Sequence, residues 1–163
     1  MAQAQSLAEL EQIRSDCLQL VRKRAGISAG VAVVPLPGMD MLADVAVFSE
    51  MLETINTRFG LSQADIARLD PNTRSYVLLA AGRLGSELIG KLVTKQLAML
   101  VIKKMGARWL GKAVLRFVPL AGQAVAAGLS YQIVARLGRK HIDDCYTVAS
   151  ALLAQGPTPQ EKP

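Results

Sequence analysis

Two proline-headed apolar runs constrain this chain more than any other feature of its sequence. The segments 34–38 (Val-Pro-Leu-Pro-Gly) and 118–122 (Val-Pro-Leu-Ala-Gly) each precede a long stretch that is poor in charge and rich in small apolar side chains. Proline is tolerated in the first turn of a helix but disrupts its interior. Each segment is therefore predicted to open a buried helix, and the two helices form a pseudo-repeat.

The composition favours an all-α fold. Hydrophobic residues make up 51% of the 163 residues and aromatic residues only 4%. Small apolar side chains suit closely packed helices, whereas a β-sandwich would need more β-branched and aromatic residues. We predict a compact bundle of five or six helices in a single domain over residues 1–155. Residues 156–163 contain three prolines and no apolar periodicity, and we expect a disordered tail there.

Two helices can be placed from their periodicity and their ends. Ser6 and Glu9 form a capping-box pattern, which starts a helix over 6–25 that Gly26 is expected to end. A second helix is predicted over 38–59, with Gly60 after it. Its apolar residues recur in steps of four and three, typical of a coiled-coil seam: Met41, Val45, Phe48, Leu52, Ile55 and Phe59.

The second half of the chain is predicted as four further helical stretches. Ser62 is expected to cap a short helix ending near residue 69, and Asp70-Pro71 to begin the next. From Pro71 to about residue 104 we expect either one long helix or two, broken near residues 82–90, which include three glycines. A helix over 107–117 and a last helix over 120–154, either continuous or broken at Gly138, complete the prediction.

Positive charge is concentrated in the second half of the chain. Between Arg74 and Lys140 there are twelve basic residues against Glu87 alone, whereas 40–70 is acidic, so attraction between the two segments is one interpretation. Four of these cations, Lys104, Arg108, Lys112 and Arg116, recur at every fourth residue and would form one stripe on a continuous helix. The predicted binding residues are Lys91, Lys95, Lys103, Lys104, Arg108, Trp109, Lys112 and Arg116.

This basic region points to a negatively charged partner. A basic amphipathic helix with an aromatic residue near its boundary is typical of helices that bind an anionic membrane surface. A protein partner fits the same charge, and a homo-oligomer is left open. Nucleic acid ranks lower, because aromatic side chains for stacking are few. Two separated cysteines and an N-terminus unlike a signal peptide suggest a cytoplasmic protein, peripheral on the inner face of the membrane.

The alternative is a small integral or membrane-perturbing protein. Nineteen residues without a formal charge lie between Arg116 and Arg136, close to the ~17–25 that cross a bilayer. In that alternative the segments 28–48 and 117–136 would insert. Several polar residues in the second segment favour a buried helix of a non-spanning protein instead.

Two motifs each contain only part of a known type of functional site. Residues 85–91 match the first seven positions of a nucleotide-binding P-loop, but Leu92 replaces the hydroxyl that would bind magnesium. His141, the single histidine, lies one helical turn from Asp144 and Cys145. We interpret it as part of a helix surface, where Asp143 and Asp144 offset neighbouring cations. We predict no catalytic residue, no metal site and no cofactor.

Short segments give the chain a family resemblance. Residues 33–40, the helix end at 58–61 and the segments 117–122 and 128–131 resemble the YcjF-like domain of unknown function and the C-terminal helical region of immunity-related GTPases. The resemblance covers about residues 25–145. It implies an α-helical accessory module that acts at a membrane or with a GTPase supplied by another chain. The complete P-loop and the length needed for a GTPase domain are absent, so nucleotide hydrolysis is not implied.

Overall fold

The described part of the chain is helical. The computed structural model describes residues 6–31, 39–86, 88–101 and 122–155. It contains the helices α1 (Leu7–Val31), α2 (Met39–Arg58), α3 (Gln63–Ala67), α4 (Pro71–Arg83) and α5 (Gly122–Gln155). Residues 95–101 are also helical, and no strand occurs in these ranges. The all-α prediction is confirmed.

Three predictions fall on residues outside the described ranges. They are the internal geometry of the two proline segments, the helix over 107–117 and the tail over 156–163. The described residues that follow the proline segments are helical, from Met39 in α2 and from Gly122 in α5. The residues immediately before them, in which the helix starts are predicted, lie outside the described ranges.

Helix α1 continues past the glycine that was expected to end it. The side-chain oxygen of Ser6 accepts a hydrogen bond from the backbone amide of Glu9 at 3.1 Å, which confirms the N-terminal cap. Gly26, however, lies inside a helix that runs to Val31. A glycine inside a helix costs about 1 kcal/mol relative to alanine, which packing elsewhere can offset. The chain meets no proline until residue 35, so nothing in the local sequence forces an earlier end.

The predicted seam of α2 is buried. Its members from Val45 to Phe59 are all at most 3% exposed, while the side chain of Met41 lies outside the described set. Gly60 ends the helix with a positive φ of 67°. The amide of Leu61 donates to the carbonyl of Asn56 at 2.8 Å, and that of Gly60 donates to Thr57 at 3.1 Å. This pair of bonds is the Schellman motif, which satisfies the last carbonyls of a helix.

Helices α3 and α4 begin with the predicted caps. The hydroxyl oxygen of Ser62 accepts from the amide of Asp65, and Asp70 Oδ1 accepts from the amides of Asn72 and Thr73 at 3.0 Å each. Pro71 occupies the first turn of α4. Helix α4 then ends at Arg83, which settles the choice between one long helix and two in favour of two.

Glycines explain the end of α4 and the turn that follows it. Gly85 has a φ of 66°, and the amide of Ser86 reaches back to the carbonyl of Ala81 at 2.9 Å. Gly90 has a φ of 72°, and its amide donates to the carbonyl of Leu61 at 3.1 Å. A side chain at Gly90 would meet the Cδ1 atom of Ile66 at 2.8 Å. Residues 88–94 thus connect to the next helical stretch, and their backbone contacts the turn after α2 at Gly90.

The described residues belong to two compact units. The first unit combines α1 up to Cys17, residues 53–92 and α5 from Lys140 onward. Its core includes the buried side chains of Leu10, Ile55, Phe59, Val77 and Ile142. The second unit combines residues 18–52 with residues 93–139. Helices α1, α2 and α5 each contribute to both units.

The second unit depends on a close approach between helices at Gly138. A Cβ atom there would lie 2.7 Å from Cγ2 of Val21 and 3.1 Å from Cε of Met51. Of the two alternatives for the last helix, the structure has the continuous one, since α5 runs without a break from Gly122 to Gln155. The glycine serves helix packing instead of ending the helix. In the same unit, Arg24 of α1 pairs with Glu50 of α2 at 2.7 Å.

Candidate functional site

A buried polar cluster lies in the first unit. His141 on α5 is 3% exposed and Asn56 on α2 is fully buried. The Nε2 atom of His141 lies 2.9 Å from Oδ1 of Asn56, and Nδ2 of Asn56 donates to the carbonyl of Leu88 at 3.0 Å. The thiol of Cys145 lies 3.6 Å from the same Asn56 oxygen and 3.7 Å from His141 Nε2. The cluster therefore joins α2, the connection after α4 and α5.

The hydrogen bonds determine which ring nitrogen of the histidine carries a proton. Because the amide nitrogen of Asn56 donates to a carbonyl, its oxygen faces His141 and must accept. Nε2 of the imidazole is therefore protonated, and the lowered pKa of the ring keeps it neutral at pH 7. Burial, assisted by the nearby charge of Lys140, lowers the pKa of His141 to about 4. The interpretation of His141 as part of a helix surface is wrong, although Lys140 does pair with Asp144 at 2.7 Å as expected.

Both thiols are also held in their neutral form. Cys17 and Cys145 are fully buried and free. Burial raises the pKa of Cys17 to about 11, an effect that Arg58 partly offsets, and it raises that of Cys145 well above the usual range. A thiol is a nucleophile or a metal ligand only as the thiolate. The cluster is therefore suited to holding helices in register, and not to nucleophilic attack at neutral pH.

The two motifs that suggested chemistry lie in other settings. The P-loop-like segment 85–91 follows helix α4, whereas a phosphate-binding loop follows a strand and opens a helix. Within it, Leu88 and Ile89 are buried. Among the residues that the structure describes, no group of three or more histidine, cysteine or acidic side chains could hold a metal ion.

The structure shows part of the predicted basic region. Lys91 and Lys95 are exposed, and neither forms an ion pair with a carboxylate among the described residues. Leu92 and Leu100 in the same stretch are 59% and 51% exposed. The remaining predicted binding residues, Lys103, Lys104, Arg108, Trp109, Lys112 and Arg116, lie outside the described residues. The exposure of these two leucines was not predicted from the charge pattern.

Helices α4 and α5 form an apolar groove in the first unit. It encloses about 190 Å³, and its walls include Tyr76, Leu79, Arg83, Leu84, Val148 and Ala151. Helix α4 buries only Val77 and Ala81, while Leu79 is 56% exposed. The groove is smaller than the ~300–1,000 Å³ of small-molecule sites. Its size fits one or two inserted side chains better than a metabolite.

A polar network joins α1 to α5 in the same unit. Arg14 of α1 donates to Oδ1 of Asp143 at 2.8 Å, and its guanidinium stacks over the ring of Tyr146 at 5.0 Å. The hydroxyl of Tyr146 donates to Glu11 at 2.5 Å. These contacts hold α1 against α5 and occupy the nearby carboxylates.

None of the described helices is both long and apolar enough to cross a bilayer. The two segments named in the integral alternative, 28–48 and 117–136, each include residues outside the described ranges.

The comparisons with known proteins leave the site to be argued from its geometry. No protein-family model matches the chain. No curated protein and no solved structure shows significant similarity to it.

Proposed function

We propose that this protein is a non-enzymatic helical module that binds an anionic membrane surface through the segment 91–116. The observation that carries the proposal is the exposure of Lys91, Leu92, Lys95 and Leu100 in the part of that segment that the structure describes. Exposed lysines attract anionic headgroups, and exposed leucines gain free energy on entering the interface. Farther along the segment, the sequence continues the positive charge with four cations at every fourth residue, from Lys104 to Arg116.

The non-enzymatic part of the proposal is supported by the state of the reactive groups. The imidazole of His141 is buried and hydrogen-bonded, and the two thiols are buried and neutral. Enzymatic nucleophiles and bases must reach a substrate and carry a suitable pKa at working pH. None of these three groups meets both requirements.

The membrane is favoured over a protein partner for this segment because of its combination of lysine and leucine. Each Lys or Arg near an anionic surface contributes about 1 kcal/mol at moderate ionic strength. We therefore propose a peripheral location on the inner face of the membrane, where anionic lipids are concentrated. A GTPase acting at the same membrane is the partner that the family resemblance implies.

Vesicle co-sedimentation tests the proposal. The full chain is mixed with vesicles of phosphatidylcholine alone or with phosphatidylserine, at low and high salt. We expect binding only to the anionic vesicles, weakened by salt because screening shortens the range of the attraction. The double variant Lys91→Gln/Lys95→Gln should bind roughly ten- to thirtyfold more weakly, from about 1 kcal/mol per lysine.

Matched variants separate charge from apolar insertion. Leu92→Ser and Leu100→Ser remove exposed leucines and should weaken binding without abolishing its salt dependence. Arg68→Gln, at an exposed position outside the segment, should change nothing. Equal binding to neutral and anionic vesicles, or none to either, would refute the proposal. Binding of a GTPase without binding of vesicles would assign the segment to a protein partner.

A further inference from the structure

We propose that the groove between α4 and α5 is a docking site for an acidic amphipathic helix of a partner protein. The groove lies in the first unit, and none of its lining residues belongs to the segment assigned to membrane binding. It is apolar along its length and bears one cation, Arg83, in the last turn of α4. A helix that inserts a leucine-sized side chain and places a carboxylate near Arg83 would match both features.

Helix α4 leaves two leucines exposed on its surface. Leu79 is 56% exposed and Leu78 is 46% exposed, although the same helix buries only a valine and an alanine. Single exposed leucines are ordinary on protein surfaces, but here Leu79 is continuous with a concave site that Tyr76 and Leu84 also line. A groove between two helices accepts the side-chain ridge of a third helix. Its volume of about 190 Å³ admits side chains and not a larger ligand.

Charge complementarity selects an acidic partner. Arg83 is exposed and forms no ion pair with a described carboxylate. The two acidic residues of α5 nearest in sequence to the groove wall are already engaged: Asp143 by Arg14 at 2.8 Å and Asp144 by Lys140 at 2.7 Å. An incoming carboxylate would therefore meet a guanidinium that no described carboxylate pairs with, and a guanidinium binds carboxylates through two parallel hydrogen bonds.

Fluorescence anisotropy with synthetic helices tests this inference on the full chain. The probes are labelled peptides of about 18 residues, long enough to form a helix in water, with leucines at positions i, i+3, i+4 and i+7. One carries glutamates beside the leucine face, one carries lysines there and one carries glutamines. We expect the glutamate peptide to bind most tightly and the lysine peptide most weakly.

Two variants examine the two features of the groove separately. Leu79→Ser should weaken binding of the glutamate peptide about tenfold, the loss typical of a central apolar anchor. Arg83→Glu should reverse the charge preference, so that the lysine peptide becomes the tighter ligand. Both positions are exposed, so circular dichroism and thermal unfolding should be unchanged.

Control variants make the result specific. Leu92→Ser removes a leucine of nearly equal exposure, 59% against 56%, away from the groove. Together with Arg68→Gln and the double variant Lys91→Gln/Lys95→Gln, it should leave peptide binding intact. If the lysine double variant binds vesicles more weakly but still binds the peptide, the two surfaces act independently.

Four results would overturn the inference. They are equal binding of the three peptides, no peptide binding, unchanged binding by Leu79→Ser, and loss of vesicle binding in Leu79→Ser while Leu92→Ser still binds vesicles. Light scattering provides a further test. Self-association of the wild type that Leu79→Ser abolishes, without peptide binding, would assign the groove to a second copy of this chain and would also refute the partner helix.

Discussion

Acidification should destabilise this protein through one buried side chain. The pKa of His141 is lowered from 6.5 to about 4, chiefly by burial. In the unfolded chain the imidazole takes up a proton as the pH falls below about 6.5, whereas in the folded protein it stays neutral until about pH 4. Between these values the unfolded state binds more protons, so the free energy of unfolding falls as the pH is lowered. The stability that the neutral, buried His141 contributes is therefore complete above about pH 6.5 and is lost as the pH falls towards 4.

The size of the effect follows from the same two pKa values. At about 1.36 kcal/mol per pKa unit, the difference corresponds to roughly 3 kcal/mol of unfolding free energy. That is a substantial part of the ~5–15 kcal/mol that stabilises a typical domain. The geometry gives the reason for the cost. A charged imidazole would have to be desolvated beside Asn56, whose neutral oxygen accepts the hydrogen bond of the ring at 2.9 Å but carries no compensating charge.

Two measurements test this reasoning. His141 is the single histidine, so its imidazole signals in an NMR titration need no assignment by mutagenesis. We expect no titration between pH 8 and about pH 5. Urea unfolding of the wild type and of His141→Gln, at several pH values, should show a loss on acidification that is about 3 kcal/mol larger in the wild type. Glutamine retains a donor for Asn56 but cannot take up the proton.

A matched variant separates the two causes of the pKa shift. Lys140→Gln removes the nearby charge and leaves the burial of His141 unchanged. We expect most of the acid sensitivity to remain, because desolvation is the larger cause. A midpoint near 6.5 in the NMR titration, or equal acid sensitivity in the wild type and His141→Gln, would refute the assignment of this histidine to a dry core.

Three further predictions follow from the packing. Gly138→Ala should lower the unfolding free energy by about 1–3 kcal/mol, measured by calorimetry or urea titration, because the new methyl group would overpack against Val21. Gly26→Ala should raise it by up to about 1 kcal/mol, since nothing lies within 4 Å of a Cβ atom placed there. Equal effects of the two variants would contradict the close approach at Gly138. Asp70→Ala should cost about 1 kcal/mol by the same measurement through loss of the cap of α4, and no loss would show the cap to be dispensable. Cys17 and Cys145 should react with a thiol reagent only as fast as the protein unfolds, measured by mass spectrometry in increasing urea; rapid labelling of the native protein would contradict their burial.

Local signals in the sequence were sufficient for most helix ends. The cap of α4 at Asp70, the glycine after α2 and the seam of α2 each depend on residues within one or two turns, and all three appear as predicted. Glycine was the ambiguous signal. Gly60 and Gly85 end helices, while Gly26 and Gly138 lie within them. The sequence does not distinguish these roles, because a glycine needed for close packing is recognised only when its neighbour on another helix is known.

The burial of His141 was not predicted, because the charged residues beside it suggested an exposed helix face. His141 lies between Arg139, Lys140, Asp143 and Asp144, which suggested an exposed face. Five of the buried residues of α5 nevertheless recur in steps of four, three, four and three: Val134, Gly138, His141, Cys145 and Val148. Those steps match the seam of α2 and include the histidine, so periodicity read across the charges would have predicted its burial.

Its partner required knowledge of the tertiary structure. Asn56 lies one residue outside the apolar seam of α2, 85 positions before His141 along the chain. A polar residue beside a seam is normally exposed, and only the approach of α5 and of the Leu88 carbonyl supplies both sides of its amide with partners. The same reasoning applies to the groove, since α4 and the final turns of α5 share no sequence signal. The histidine and the cysteines, which are the potentially reactive residues of the sequence, thus stabilise the core. The surfaces available for binding consist instead of leucines and cations, and only the structure shows which of these are exposed.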